Sequence, residues 1–231
     1  VYIFVARTTL GSEAFPIVID RAYTHIIGTP DQGFPTPTIR PDAGNHGFEL
    51  AAGGLEIAGF NFQGMAGETE ACIYAADAQQ VSNHIHHNYF AWDWVAYDCI
   101  QLANQQQNMR INNNYFGAHG FTNYAIIESV ASGRMLIEDN VILVKGREES
   151  GVGGILLHPV SGPAVIKNNT FSVPDTGAGQ AIELTGGQDC LISGNVASEG
   201  KVALGNIPWV DAVATNHWGL NYSNLLGSTP V

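Results

Sequence analysis

The apolar positions of this chain fall into short alternating runs that return at a nearly fixed interval. Six segments align: Glu56-Ile-Ala-Gly-Phe-Asn-Phe62, His84-Ile-His-His-Asn-Tyr-Phe90, Arg110-Ile-Asn-Asn-Asn-Tyr-Phe116, Leu136-Ile-Glu-Asp-Asn-Val-Ile142, Val165-Ile-Lys-Asn-Asn-Thr-Phe171 and Leu191-Ile-Ser-Gly-Asn-Val-Ala197. They share x-Ile-x-x-Asn-x-Φ, with Φ mostly apolar. The asparagines Asn88, Asn114, Asn140, Asn169 and Asn195 are spaced by 26, 26, 29 and 26 residues, and Phe60 holds the asparagine place in the first segment. A second set of runs keeps phase with the first. Its lead residues read as Ile73, Ile100, Ile127, Ile155 and Ile182, spaced by 27, 27, 28 and 27. Each opens a short alternating run such as Ile100-Gln-Leu102 or Ile182-Glu-Leu184.

Alternation with a period of two is the mark of a strand. Strands this short cannot bury a face alone, so they must stack on their equivalents in the next repeat. The units are too short and too poor in helix formers to be helical repeats. The expectation is an all-β fold: a right-handed, single-stranded parallel β-helix. It has about seven to nine coils, a period of about 26–29 residues, and coils about 4.8 Å apart. Inward positions then form columns of Ile, Val, Leu and Phe. The motif asparagine sits at a bend, where it tolerates left-handed backbone angles and can bond the amides of neighbouring coils. Asn88, Asn114, Asn140, Asn169 and Asn195 are thus expected to form a structural ladder.

Residues 1–231 read as a single domain, with irregular first coils over 1–50, regular coils over 51–200 and a C-terminal cap or extension over 201–231. The first part holds strand-like runs at Val1–Val5, Ile17–Ile19 and His25–Ile27, and a Pro-rich stretch, Phe34-Pro-Thr-Pro-Thr-Ile39. A last turn is expected at Ala214-Thr-Asn-His-Trp218. The start alternates like a strand and lacks the basic leader of a signal peptide. A first strand with nothing before it would leave a stacked core open, so the expectation is a piece of a longer chain.

Composition changes this picture little but limits function. Charged residues are 13% of the chain, about half the usual share. A net charge of −12 argues against a nucleic-acid surface, which needs clustered Lys and Arg, and against an electrostatic membrane anchor. No apolar run reaches transmembrane length. The three cysteines, Cys72, Cys99 and Cys190, have no metal-ligand spacing. Cys72 and Cys99 each precede an inward Ile and should stack on adjacent coils, as a disulfide or, as expected here, as free thiols. Cys190 falls in an inward column with Met109, Met135 and Ala164.

The repeated motif resembles the right-handed β-helix superfamily over roughly residues 15–200. That superfamily includes pectate-lyase-like enzymes, repeat domains of periplasmic copper-protein maturation factors, and phage tailspikes. The resemblance implies the fold and not an activity, because the motif is structural. The calcium-binding aspartates and downstream arginine pair of the lyases are not evident. Ala118-His-Gly120 and Val165-Ile-Lys167 look like pieces of the polygalacturonase set, without its aspartates.

Three polar groups are candidate sites. The densest is His84-Ile-His-His87 with Trp92-Asp-Trp94 and Asp98. His86, His87, Trp92, Asp93 and Trp94 are its ligand-binding candidates, since aromatic rings stack on sugars and imidazoles bind metals. His86 and His87 equally fit exposed turn positions equivalent to Asn112 and Asn113, and no metal is expected there. The second is an outward column read as Tyr74, Gln101, Glu128, Leu156 and Glu183. It would set Glu128 and Glu183 two coils, roughly 9–10 Å, apart, which is near the spacing of an inverting glycosidase pair. Two solvated glutamates fit the pattern as well. The third is acidic, Glu138-Asp139 with Arg147-Glu-Glu149. Calcium would suit its carboxylates, but a solvated loop explains it and no cofactor is expected.

Two functions follow from these readings. One is a non-catalytic structural or adhesive module on a virion (spike, fibre or capsid decoration) or a cell surface, in contact with carbohydrate. Its partners would be copies of itself, a trimer among the options, or other surface or capsid proteins. Tyr74, Trp92 and Trp94 are the candidates for a buried flank. The other is a polysaccharide lyase or glycoside hydrolase acting on an extracellular glycan through Glu128 and Glu183.

Overall fold

The structure is a computed structural model. It describes the chain except residues 7–8, 11–13, 30–35, 42–43, 64–69, 76–79, 91–96, 104–105, 118–120, 122, 130–132, 145–152, 159–162, 174–179, 187–188, 199–207, 213–214 and 224–231. The described residues form strands and turns and no helix, wound into a parallel β-solenoid. Sheets A and B have nine strands each and sheet C has eight. Every pairing joins a strand to its equivalent in the next coil. One coil shows the path. His84–His86 lies in sheet A, Tyr89–Phe90 in sheet B and Ile100–Leu102 in sheet C. Gln106–Gln107 then leads back to Arg110–Asn112 in sheet A.

The register follows the hydrophobic pattern. In sheet A the motif isoleucines Ile26, Ile57, Ile85, Ile111, Ile137, Ile166 and Ile192 stand in one column. All are buried. In sheet B the Φ positions align as Ile39, Phe62, Phe90, Phe116, Ile142, Phe171 and Ala197. Phe62 stacks on Phe90 at 5.0 Å, and Phe90 on Phe116 at 4.6 Å with planes 1° apart. The core is a stack of like residues because a parallel, in-register sheet places equivalent positions directly above one another. Burying each such side chain contributes roughly 1.5–3 kcal/mol.

The asparagine ladder is present, and Asn221 extends it by one rung. The main-chain N–H and the side-chain Nδ2 of each asparagine both donate to the Oδ1 of the next. For Asn114 and Asn140 those distances are 3.0 and 3.1 Å. The Nδ2 also donates back to a motif isoleucine carbonyl one coil earlier, as Asn140 does to Ile111 at 3.0 Å. Asn88, Asn140, Asn169 and Asn195 repeat the pattern, and Phe60 opens it by donating its N–H to Asn88 Oδ1. Six coils, those of Asn88 to Asn221, are regular in this sense, slightly fewer than expected. Strands before Phe60 extend the sheets without the ladder.

The left-handed backbone lies one residue earlier than expected. Gly59, His87, Asn113, Asp139, Asn168 and Gly194 have φ of 53–75°, and each immediately precedes the ladder position. The asparagine side chain ties coils together, while its predecessor turns the corner. A second left-handed corner precedes sheet A, at Tyr23, Gly54, Ser82, Asn108, Arg134 and Asp189. Pro163 stands at the equivalent place before Val165–Lys167, where its ring forbids positive φ.

Sheet C corrects one assignment. Ile100 pairs with Ile126, not Ile127, and Ile126 pairs with Ile155. The outward column is therefore Tyr74, Gln101, Ile127, Leu156 and Glu183, and Glu128 sits inward between Leu102 and Leu157. Adjacent Ile126 and Ile127 satisfy the same apolar pattern, so alternation alone does not choose between them. Cys72, Cys99 and Cys190 are buried thiols outside any disulfide, and Cys190 shares its buried setting with Met109, Met135 and Ala164.

Replacing Asn140 tests the ladder. Asn140→Ala removes the acceptor of two Asn114 donors and the donor to Ile111, and should cost roughly 3–5 kcal/mol. Asn140→Asp turns an acceptor toward the Ile111 carbonyl, so it should be worse than alanine at pH 7 and recover partly in acid. Urea unfolding of both variants at two pH values measures this.

Candidate functional site: a histidine and carboxylate face

Strand alternation puts two residues of each sheet A strand outward, one on either side of the buried isoleucine. Stacking joins them into two outward columns. The first runs His25, Glu56, His84, Arg110, Leu136 and Val165. The second runs Ala58, His86, Asn112, Glu138 and Lys167. His86, Glu138 and Lys167 thus share the second of these columns. His87 is exposed at the left-handed corner beside them, equivalent to Asn113.

Two clusters occupy this face. Glu56 is the hub of the first. Its Oε2 lies 2.5 Å from His25 Nδ1, and its Oε1 lies 2.7 Å from His86 Nε2. His84 stacks on His86 with ring centres 4.0 Å apart, and its Nε2 lies 2.6 Å from Asn112 Oδ1. His86 Nδ1 is 2.7 Å from His87 Nδ1. Burial pushes the Glu56 carboxyl up, but hydrogen bonds from His25 and His86 and their charges outweigh it and leave it below its ordinary value. Burial lowers His84. A hydrogen bond to Asn112 opposes this, and the charges of His86 and Arg110 add to it. Burial and His86 lower His87 as well. Glu138 is the hub of the second cluster. Arg110 reaches its Oε1 through Nη2 at 2.7 Å and Nε at 3.1 Å, and Lys167 Nζ lies 3.0 Å from its Oε2. Burial again raises this carboxyl, and Lys167 and Arg110 bring it below its ordinary value.

The other candidates separate. Asp98 is buried at the turn into sheet C, away from the histidine strands. Its Oδ1 accepts from Asn123 Nδ2 at 2.9 Å and from the Tyr124 N–H at 3.1 Å. Glu128 and Glu183 lie on opposite sides of sheet C. Glu128 is 0% exposed and accepts from the His158 N–H at 3.1 Å. Glu183 faces outward and accepts from the Tyr124 hydroxyl at 2.9 Å. The shared column read for them does not exist, because the register places Ile127 where Glu128 was expected. Tyr74 is half-buried and stacks on His46 at 3.9 Å. Glu138 is committed to Arg110 and Lys167. Trp92, Asp93, Trp94 and Arg147-Glu-Glu149 lie outside the described residues.

Sequence reading missed Glu56, His25 and Arg110 as members of the face. The signal was available. Glu56, His84 and Arg110 are the first residues of three aligned segments, so reading down that position assembles them. No protein-family model and no curated protein matches the chain.

Asp98 gives a pH test. Burial raises it to about 7, against the bonds from Tyr124 and Asn123. Between about pH 4 and 7 the folded state holds a proton that the unfolded state has released, so this group's contribution falls as pH rises. Asp98→Asn keeps an oxygen for both donors and should stabilise the protein by roughly 2–4 kcal/mol at pH 8, with little effect at pH 4. His84 and His87 are lowered and tilt stability the other way, rising with pH through about 6.5. The difference between wild type and variant isolates Asp98. Equal pH slopes in urea unfolding would refute the assignment.

Proposed function

We propose that this chain is a non-catalytic structural or adhesive β-helix module, displayed on a virion or a cell surface and in contact with glycan. The observation that carries the reading is the placement of Glu128 and Glu183 on opposite sides of one sheet. A pair that protonates and activates across a glycosidic bond must face one substrate. Glu56, Glu138 and Glu183 are each held by protein partners, which suits a preformed surface better than a reacting centre.

Sheet A offers a rigid, hydrogen-bonding face of mixed charge, and Tyr89 stacks on Tyr115 in the outward column of sheet B with rings 4.9 Å apart. Neutral and weakly acidic sugars suit such a face, through many modest polar contacts. The resemblance of the repeated motif to pectate-lyase-like and tailspike β-helices supports an extracellular setting by analogy alone. Assembly with copies of itself, as a trimer or otherwise, fits a surface fibre. Among the described residues no helix is long and apolar enough to cross a membrane.

A glycan array, paired with a depolymerisation assay on acidic and neutral polysaccharides, tests the reading. Binding is expected without chain cleavage. His86→Ala and the double variant Trp92→Ala/Trp94→Ala should weaken binding by about tenfold or more while circular dichroism stays unchanged. Sustained cleavage lost in Glu183→Gln would replace this reading with a polysaccharide lyase or glycoside hydrolase.

A further inference from the structure

We infer that Glu56, His84 and His86 form a binding site for one borderline divalent transition-metal ion of the zinc class. The inference is independent of glycan contact. The register generates the site. His84 stands directly over Glu56 in the parallel pairing, and His86 returns to the same outward side two residues later. One donor atom from each of the three residues lies within 4.8 Å of the others. Donors around a tetrahedral zinc at about 2.0–2.2 Å stand roughly 3.4 Å apart, so small side-chain rotations close the set. His86 Nε2 and Glu56 Oε1 are already at 2.7 Å, where a proton now bridges them. An ion would replace that proton.

The surroundings fit a ligand set rather than three solvated side chains. Each member is held by a neighbour outside the set: Glu56 by His25, His84 by Asn112 and His86 by His87. Outer partners of this kind fix ring tilt and carboxylate orientation in metal sites. The titratable groups around the set are His25, His87 and Arg110, and Arg110 is engaged by Glu138. Two imidazoles and one carboxylate select zinc, copper(II), nickel or cobalt over calcium and magnesium, which prefer all-oxygen shells. Three protein ligands leave a fourth position for water or a donor from a bound molecule.

Isothermal titration of the chelator-treated chain with zinc chloride, with calcium chloride as control, tests the site. One zinc per chain should bind at about pH 7.5, weaken below about pH 6 as the imidazoles protonate, and release protons on binding. Calcium should not compete. His84→Ala, His86→Ala and Glu56→Gln should each lower affinity tenfold or more, and Asn112→Ala by about tenfold through the outer partner. His217→Ala, at the far end of the same sheet, should leave binding unchanged. Cobalt(II) gives a second readout that survives a poorly folding variant. The wild-type chain should show visible bands of a tetrahedral nitrogen and oxygen site without thiolate charge transfer. No binding by the wild type, binding insensitive to the three ligand variants, or a thiolate spectrum would each overturn the inference.

Discussion

The side-chain amide of the ladder asparagine is the constraint on which the coil geometry rests. Each Oδ1 receives two bonds from one neighbouring coil, and each Nδ2 gives one bond in either direction along the stack. A buried amide costs several kcal/mol unless all its groups are satisfied. Satisfaction here requires the next coil at one height and one register. The bend between sheets A and B therefore cannot change length. Insertions must go elsewhere, and the spacings show it. The interval from Asn140 to Asn169 is three residues longer than its neighbours, and Ile126 to Ile155, at 29, exceeds its own neighbours of 26 and 27. Both intervals span residues 145–152, which lie outside the described residues, while the strands on either side keep register.

This explains how much of the molecule was legible. The ladder and the isoleucine and phenylalanine columns are written in strict repetition, and every expected rung is in place. The left-handed corner was displaced by one residue because His87, Asn113, Asp139 and Asn168 look like ordinary polar turn residues. Only Gly59 and Gly194 declare the conformation. Glu128 was misplaced for a different reason. Ile126 and Ile127 both fit an apolar lead, and a spacing of 27 from Ile100 resembled the preceding one. The strand pairing, with Ile100 opposite Ile126, decides for Ile126.

The outward face obeys the same stacking with different chemistry. Equivalent positions lie one strand spacing apart, about 4.8 Å, whether they face core or solvent. Inward, like on like is favourable because apolar rings pack. Outward, like charges directly opposed are destabilising. The sheet A columns show how the sequence answers this. Glu56 lies between His25 and His84, and Glu138 has Lys167 on its own column and Arg110 on the adjoining one. An acidic chain thus places carboxylates on its most regular face only where cationic or imidazole neighbours flank them.

The histidines are the exception that gives the face its character. His84 and His86 sit two apart on one strand, beside His87 at the corner, and protonating all of them would set like charges within a few ångströms. Burial and mutual repulsion keep His84 and His87 below their ordinary values. A strand that needed only solubility at these positions could use Asn or Ser, as other coils do in the His86 column at Asn112 and Ser193. The imidazoles beside Glu56 form instead a compact set of nitrogen and oxygen donors on a backbone that cannot relax away, because Asn88, two residues on, is locked into the ladder. The fold's most rigid element therefore holds in place its most chemically distinctive side chains.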